Sequence, residues 1–222
     1  FTWDLRYAST DPIKKATDEN PSGYPVMPGK YKVTMSVSID GVLEEVAGPV
    51  EFEAKVLNNV TLPASDRTEL IAFQTKVNDL NRAVNGAIEV SSDLKSKIEI
   101  IKTAIKQTSN APQSLIDAAN KIADENTMLY RKLVDDDVLS KRNEPTYPSI
   151  SARVGEVVYG MWTSTSAPTT SYKQNYQIAS EEFKPVLESL KRLVEIDLKN
   201  IETEMNKLNS PWTPGRVPDW KE

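Results

Sequence analysis

The stretch from Leu70 to Ile105 constrains this chain more than any other part of it. Leu70, Phe73, Val77, Leu80, Val84, Ala87, Ser91, Leu94, Ile98, Ile101 and Ile105 recur at alternating intervals of three and four residues, and only Ser91 among them is polar. That is a heptad seam, apolar at a and d, which predicts a helix over about 66–107. At ~1.5 Å per residue such a helix is ~60 Å long. A rod of that length cannot lie inside a small globule, so other helices must flank it.

The rest of the sequence supplies them. Asp66, with Glu69 three residues on, is a natural N-cap for the long helix. Leu115, Ala119, Ile122, Asn126, Leu129 and Leu133 predict a second helix over about 112–134. Asp135, Asp136 and Asp137 then place negative charge where the helix dipole disfavours it, which reads as a stop. Pro145 and Pro148 keep the connection extended. Ile150, Val154, Val157 and Met161 mark a third helix over about 149–163. A turn at Ala167, Pro168 and Thr169 opens the last one, over about 170–208, which Pro185 should kink near Glu181. Second and third helix together match the first in length. The economical layout is three columns, with those two end to end and antiparallel to the first, and the last running back beside it; the alternative is an up-down-up-down bundle of four columns, in which the third helix reverses direction.

Ahead of the helices the period changes to two. Tyr31, Val33, Met35, Val37 and Ile39 alternate with Lys32, Thr34, Ser36 and Ser38, then Asp40-Gly41 signals a hairpin. Val50, Phe52 and Ala54 alternate on the return against Glu51 and Glu53. Phe1, Trp3, Leu5 and Tyr7 read as a further strand, and residues 8–29 as loops and turns. Strands of this kind need a second layer in water. The expected architecture is α+β: an antiparallel β-sandwich-like subdomain over 1–62, of immunoglobulin or fibronectin type, then an elongated helical bundle over 63–209, then a Trp- and Pro-rich strap over 210–222. Tyr31, Val33, Met35 and Val37 should be buried, with Val50, Phe52 and Ala54 opposite. A chain that opens inside a strand is expected to be a piece of a longer polypeptide, so a missing leader says nothing about location.

Composition narrows the chemistry. The chain has no cysteine and no histidine, which removes disulfides, thiolate nucleophiles, histidine triads and most zinc or iron sites. The net charge of −5 and the lack of clustered Lys and Arg argue against a nucleic-acid partner. No apolar run reaches the ~18 residues of a membrane span. Paired carboxylates could hydrolyse glycosides without histidine. The acids to weigh are Asp4, Glu44, Glu45 and the run from Asp135 to Asp137, but no spacing singles out a pair, and Asp4 with Arg6 reads as a surface ion pair. The aspartate run also lacks the glycine and distal glutamate of a calcium loop. No catalytic, cofactor-binding or metal-ligating residue is therefore expected. Asn59-Val60-Thr61 matches a glycosylation sequon, which matters only in a eukaryotic secretory setting. Trp162, Trp212 and Trp220 remain as interaction or anchor residues. Trp212 and Trp220 could stack on sugars, but at the ends of a Pro-rich tail they read as pins of a strap.

Several of these stretches together resemble the C-terminal region of large bacterial exported proteins. The stretches are Phe1-Thr2-Trp3-Asp4-Leu5-Arg6-Tyr7, then Pro28-Gly29-Lys30-Tyr31-Lys32-Val33, then the Ala167-Pro168-Thr169 turn. Those proteins carry sialidase-type (BNR) or sortilin-like (VPS10) β-propeller repeats and are often described as glycosyl-hydrolase-like. The same strand logic appears in the immunoglobulin-like part of flagellar hook-capping proteins. The resemblance implies a non-catalytic accessory and interaction module, extracytoplasmic, whose partner is the preceding β-propeller of the same chain or another protein. It transfers no catalytic residue and no cofactor. Two alternatives stand beside it: a carboxylate-based glycoside hydrolase, and a self-associating coiled-coil module in which two chains share the seam.

Overall fold

The computed structural model describes residues 2–9, 12–13, 22–57, 65–162 and 164–218. The fold is mixed α+β, with two small antiparallel sheets followed by helices. The strands are β1 (Arg6–Ala8), β2 (Ser22–Pro25), β3 (Gly29–Ile39) and β4 (Val42–Ala54). The helices are α1 (Arg67–Lys106), α2 (Gln113–Leu133), α3 (Asp137–Lys141), α4 (Ile150–Trp162), α5 (Thr170–Arg192) and α6 (Leu198–Lys207).

The long seam is buried as its spacing requires, except that Phe73 and Leu80 are only half-buried. Asp66 caps α1, its carboxylate accepting from the amides of Thr68 (2.8 Å) and Glu69 (3.2 Å). The polar member of the seam has a partner. Ser91 Oγ donates to Asn126 Oδ1 at 2.8 Å, and Asn126 Nδ2 donates to the Ser91 carbonyl at 2.9 Å. Both residues are buried, so two polar positions that interrupt separate apolar stripes satisfy each other across α1 and α2. Any axial slip between these helices would bury both unpaired, which fixes their register.

The bundle has three columns. Leu115 to Leu133 of α2 pack with Ile105 to Val84 of α1, so α2 runs antiparallel to α1. Ile150 and Val154 of α4 join that same cluster, whereas Val157 and Met161 pack beside Val77 and Leu70. α4 therefore continues in the direction of α2 toward the start of α1. The last column returns beside α1, with Lys173 paired to Glu69 (2.8 Å) at one end and Lys97 to Glu202 (2.7 Å) toward the other.

Three details differ from the sequence reading. Pro185 lies inside α5, and the last column also contains a π turn over Leu193–Asp197 that the sequence reading did not include. Buried residues of this column fall at Phe183, Val186, Leu190, Leu193, Leu198, Ile201 and Met205, and the wide step from Leu193 to Leu198 is the π turn. One extra residue in the turn rephases the stripe so that Leu193 points inward. Second, the aspartate run does not only stop α2. Asp136 caps α3 through the Val138 amide (2.9 Å) and pairs with Arg131 (3.2 Å), and Asp135 accepts from the Ser149 amide (3.3 Å). Third, residues 8–29 are not all loop, because β2 pairs with β1 and buries Tyr24 against Leu70, Val77, Val157 and Met161.

The larger correction concerns the β part. The expected sandwich is not seen among the described residues: the strands form two separate two-stranded sheets, β1–β2 and β3–β4. Residues 2–5 precede β1 as irregular chain rather than strand, with Leu5 at φ 57°. Pairing in the hairpin follows the alternation, but the face predicted to be buried is largely open to solvent. The helices spend their apolar stripes on one another, which leaves none to cover a sheet only two strands wide. Residue 62, where the β part was divided from the bundle, and the Asn59 sequon lie outside the described residues.

Candidate functional site

Residues opposite one another in an antiparallel ladder share a face. Tyr31 stands opposite Phe52, Val33 opposite Val50, Met35 opposite Ala47 and Ile39 opposite Val42. One face of the hairpin is thus apolar from base to tip, and its one charge is Glu44, opposite Val37. The other face is polar except for Leu43 near the tip, opposite Ser38: Lys30 is opposite Glu53, Ser36 is opposite Glu45, and Lys32 is ion-paired to Glu51 at 3.1 Å.

Among the described residues only the base of the apolar face is covered. Trp3 sets its ring edge-on to Tyr31 (5.4 Å) and Phe52 (5.8 Å), which stack on each other at 5.8 Å. Tyr31 Oη donates to the Met27 carbonyl at 2.5 Å, and partial burial, with the Tyr7 hydroxyl beside it, pushes its phenol pKa up. Beyond this cluster Val33 is 50%, Met35 65% and Val50 61% exposed. No residue of either strand is fully buried. At ~3.4 Å per residue and ~4.8 Å per strand, the bare strip is on the order of 25 Å by 10 Å. Isolated hairpins are marginal in water, and contiguous apolar patches of this extent mark interaction sites.

The hairpin is held to the bundle through the first described residues. Asp4 accepts the Arg6 amide at 3.1 Å and also the Ser22 hydroxyl, and Trp3 Nε1 donates to the Arg6 carbonyl at 2.9 Å. The Ser22 hydroxyl, then the Arg6 amide, holds the Asp4 carboxyl below the usual carboxylate range. This turn at Leu5 sends Trp3 toward the hairpin and Arg6 toward the helices. Arg6 Nη1 donates to the carbonyls of Gly23 and Trp162, both at 3.0 Å, and its guanidinium lies 4.0 Å above the Trp162 ring. Trp162 Nε1 in turn donates to the Ser22 carbonyl at 3.2 Å. Asp4 and Arg6 are therefore not the surface ion pair expected. Each serves the joint separately, and the cation–π contact adds to it. The signal for this joint was present only as the spacing Trp3-Asp4-Arg6, with nothing in it to name Trp162, 156 residues on, as the far side.

Of the other tryptophans, Trp212 is 58% exposed and bonds through Nε1 to the Arg216 carbonyl at 2.9 Å. The strap's buried residues are Ser210 and Thr213. Trp220 lies outside the described residues. A groove of about 430 Å³ runs between α2 and the π turn over Leu115, Ile122, Leu193 and Ile201. Its rim cation Arg192 is engaged by Glu125 and by Asp197 (2.7 Å), and Glu125 raises its pKa further. The acids singled out in the sequence do not converge. Asp4 sits at the joint, Glu44 and Glu45 on opposite faces of the hairpin, and the aspartates around α3. Among the described residues no group of three or more acids could hold a metal, and no helix is long and apolar enough to cross a membrane. The chain matches no family model, no curated protein and no solved structure.

Proposed function

We propose that this chain is a non-catalytic accessory and interaction module of a larger exported protein, and that the β3–β4 hairpin is half of an immunoglobulin-like sandwich. The other layer comes from the rest of that protein, for which a preceding β-propeller of sialidase or sortilin type is the partner suggested by the sequence resemblance. On this reading the protein works outside the cytoplasm. The three-column bundle is the rigid stand, the Arg6–Trp162 joint sets the angle of the hairpin on it, and the bare apolar face is what the partner covers.

The observation that carries this reading is the apolar face itself, built with regular alternation and left half-exposed at Val33, Met35 and Val50. Alternation has a use only where one side is covered. Methionine oxidation tests it. Met35 on the hairpin is 65% exposed and Met128 on α2 is 57% exposed. In this chain alone both should oxidise at similar rates, whereas in the larger protein Met35 should be protected and Met128 should not. Equal oxidation of the two in the larger protein would reject the reading. Turnover of aryl glycosides by this chain alone would reject the non-catalytic role.

A further inference from the structure

The reading above names a face, and the two edges of the same hairpin are not equivalent. An edge strand presents a row of unpaired N–H and C=O groups, and edges that must stay free are guarded with proline, bulges and charge. β4 carries all three guards. Pro49 lacks an N–H, Gly48 has φ 107°, and each register shift places one additional residue in β4: Gly48 and Pro49 stand against Thr34 alone in one, and Val46 is inserted in the other. Glu44, Glu45, Glu51 and Glu53 add four negative charges to it. β3 carries none. Its residues Gly29–Ile39 contain no proline, no acid and no glycine after the first position, and they form the unbulged side of both irregularities.

We infer that the free edge of β3 is where a further strand of the larger protein joins the sheet, and that this strand alternates apolar with acidic residues. The inference rests on the reading of the hairpin as half a sandwich. Main-chain hydrogen bonds along an open edge supply affinity, and alternate side chains supply selectivity. On one face of β3 the neighbours Val33, Met35 and Val37 call for apolar side chains. On the other, its only charges are Lys30 and Lys32, the latter also ion-paired to Glu51 across the hairpin, and carboxylates are favoured beside them. The same carboxylates would be repelled along β4. Charge thus selects both the edge and the composition of the strand that fits it.

The chain has no cysteine, so single cysteines can report the edge. Ser36 and Glu45 stand opposite each other on the polar face, one on each strand. The whole chain carrying Ser36→Cys or Glu45→Cys would be exposed to a synthetic peptide as long as β3, alternating valine with glutamate, with one central cysteine activated as a mixed disulfide. Trapping should be on the order of tenfold faster at Ser36→Cys. It should weaken when lysine replaces glutamate in the peptide, and vanish when alternate peptide amides are N-methylated. Equal trapping at both positions, faster trapping at Glu45→Cys, or trapping indifferent to N-methylation would overturn the inference. So would a chain that sediments as a dimer linked through Ser36→Cys, because the strand would then come from a second copy. Protection of Met35 in the larger protein without an edge preference would leave the covered face standing and remove only the edge assignment.

Discussion

Helix α1 and the β3–β4 hairpin are both amphipathic along their whole length, yet Ile98 is 0% exposed and Val50 61%. The two regions differ in what lies next to them. α1 meets the apolar stripes of α2 and α4, which lie end to end along it, and that of the α5–α6 column. Among the described residues the apolar face of the hairpin is covered at its base alone, by Trp3. Periodicity therefore says which face of an element wants cover, and the inventory of remaining stripes says whether the chain can provide it. In the bundle the inventory closes. In the hairpin it is short by one layer.

That contrast can be broken at several points. The largest effect is expected at Ile98→Ala, which empties a site closed on all sides and should cost ~2–5 kcal/mol in denaturant unfolding of the helices. A loss under about 1 kcal/mol would mean that the seam is loosely packed. Ser91→Ala comes next. It leaves Asn126 Oδ1 buried without its donor and should cost ~1–3 kcal/mol. The same change combined with Asn126→Ala should be less than additive, since each residue is the other's partner.

A smaller effect, at the joint, depends on pH. The Asp4 carboxyl is held below its ordinary range by Ser22 and the Arg6 amide. A carboxyl depressed in the folded state stabilises it above the unfolded pKa, and the contribution fades as pH falls through the folded value. Asp4→Asn should therefore loosen β1–β2 at neutral pH and make progressively less difference as pH falls below the ordinary carboxylate range. The Trp3 and Trp162 fluorescence of the joint reports it, and an effect unchanged by acid would remove Asp4 from the account. The smallest effect belongs to Val50→Thr, which keeps the β-branch on an exposed strand position and should stay within about ±0.5 kcal/mol in this chain. The proposed covering layer predicts a larger cost for the same change in the larger protein.

The bundle was largely legible in the sequence, because each stripe is long and unbroken and the caps at Asp66 and Thr169 announce their helices. Helix lengths favoured the three-column layout but left an up-down-up-down bundle of four columns open. The π turn was missed because Leu193 and Val194 are both apolar, so the stripe reads through either, and only packing selects Leu193. α3 was missed because a run of aspartates after a helix reads as a stop, while the same residues can cap the helix that follows. Of the candidate surface, the pairing partners across the hairpin were readable, but its exposure was not. Alternation is the same whether the covering layer is in this chain or elsewhere. The joint was unreadable for a different reason, since Arg6 and Trp162 meet only through the tertiary fold.

Amide hydrogen exchange compares the two regions most directly. Buried helical amides around Ile98 should open only with global unfolding, while the β3–β4 amides should exchange through local opening that is orders of magnitude more frequent. Repeated on the larger protein, the measurement should show the hairpin amides slowed, β3 most of all, with the helical amides unchanged. Hairpin amides as slow as those of α1 in this chain alone would contradict the account, because they would mean that two strands with a bare apolar face need no partner.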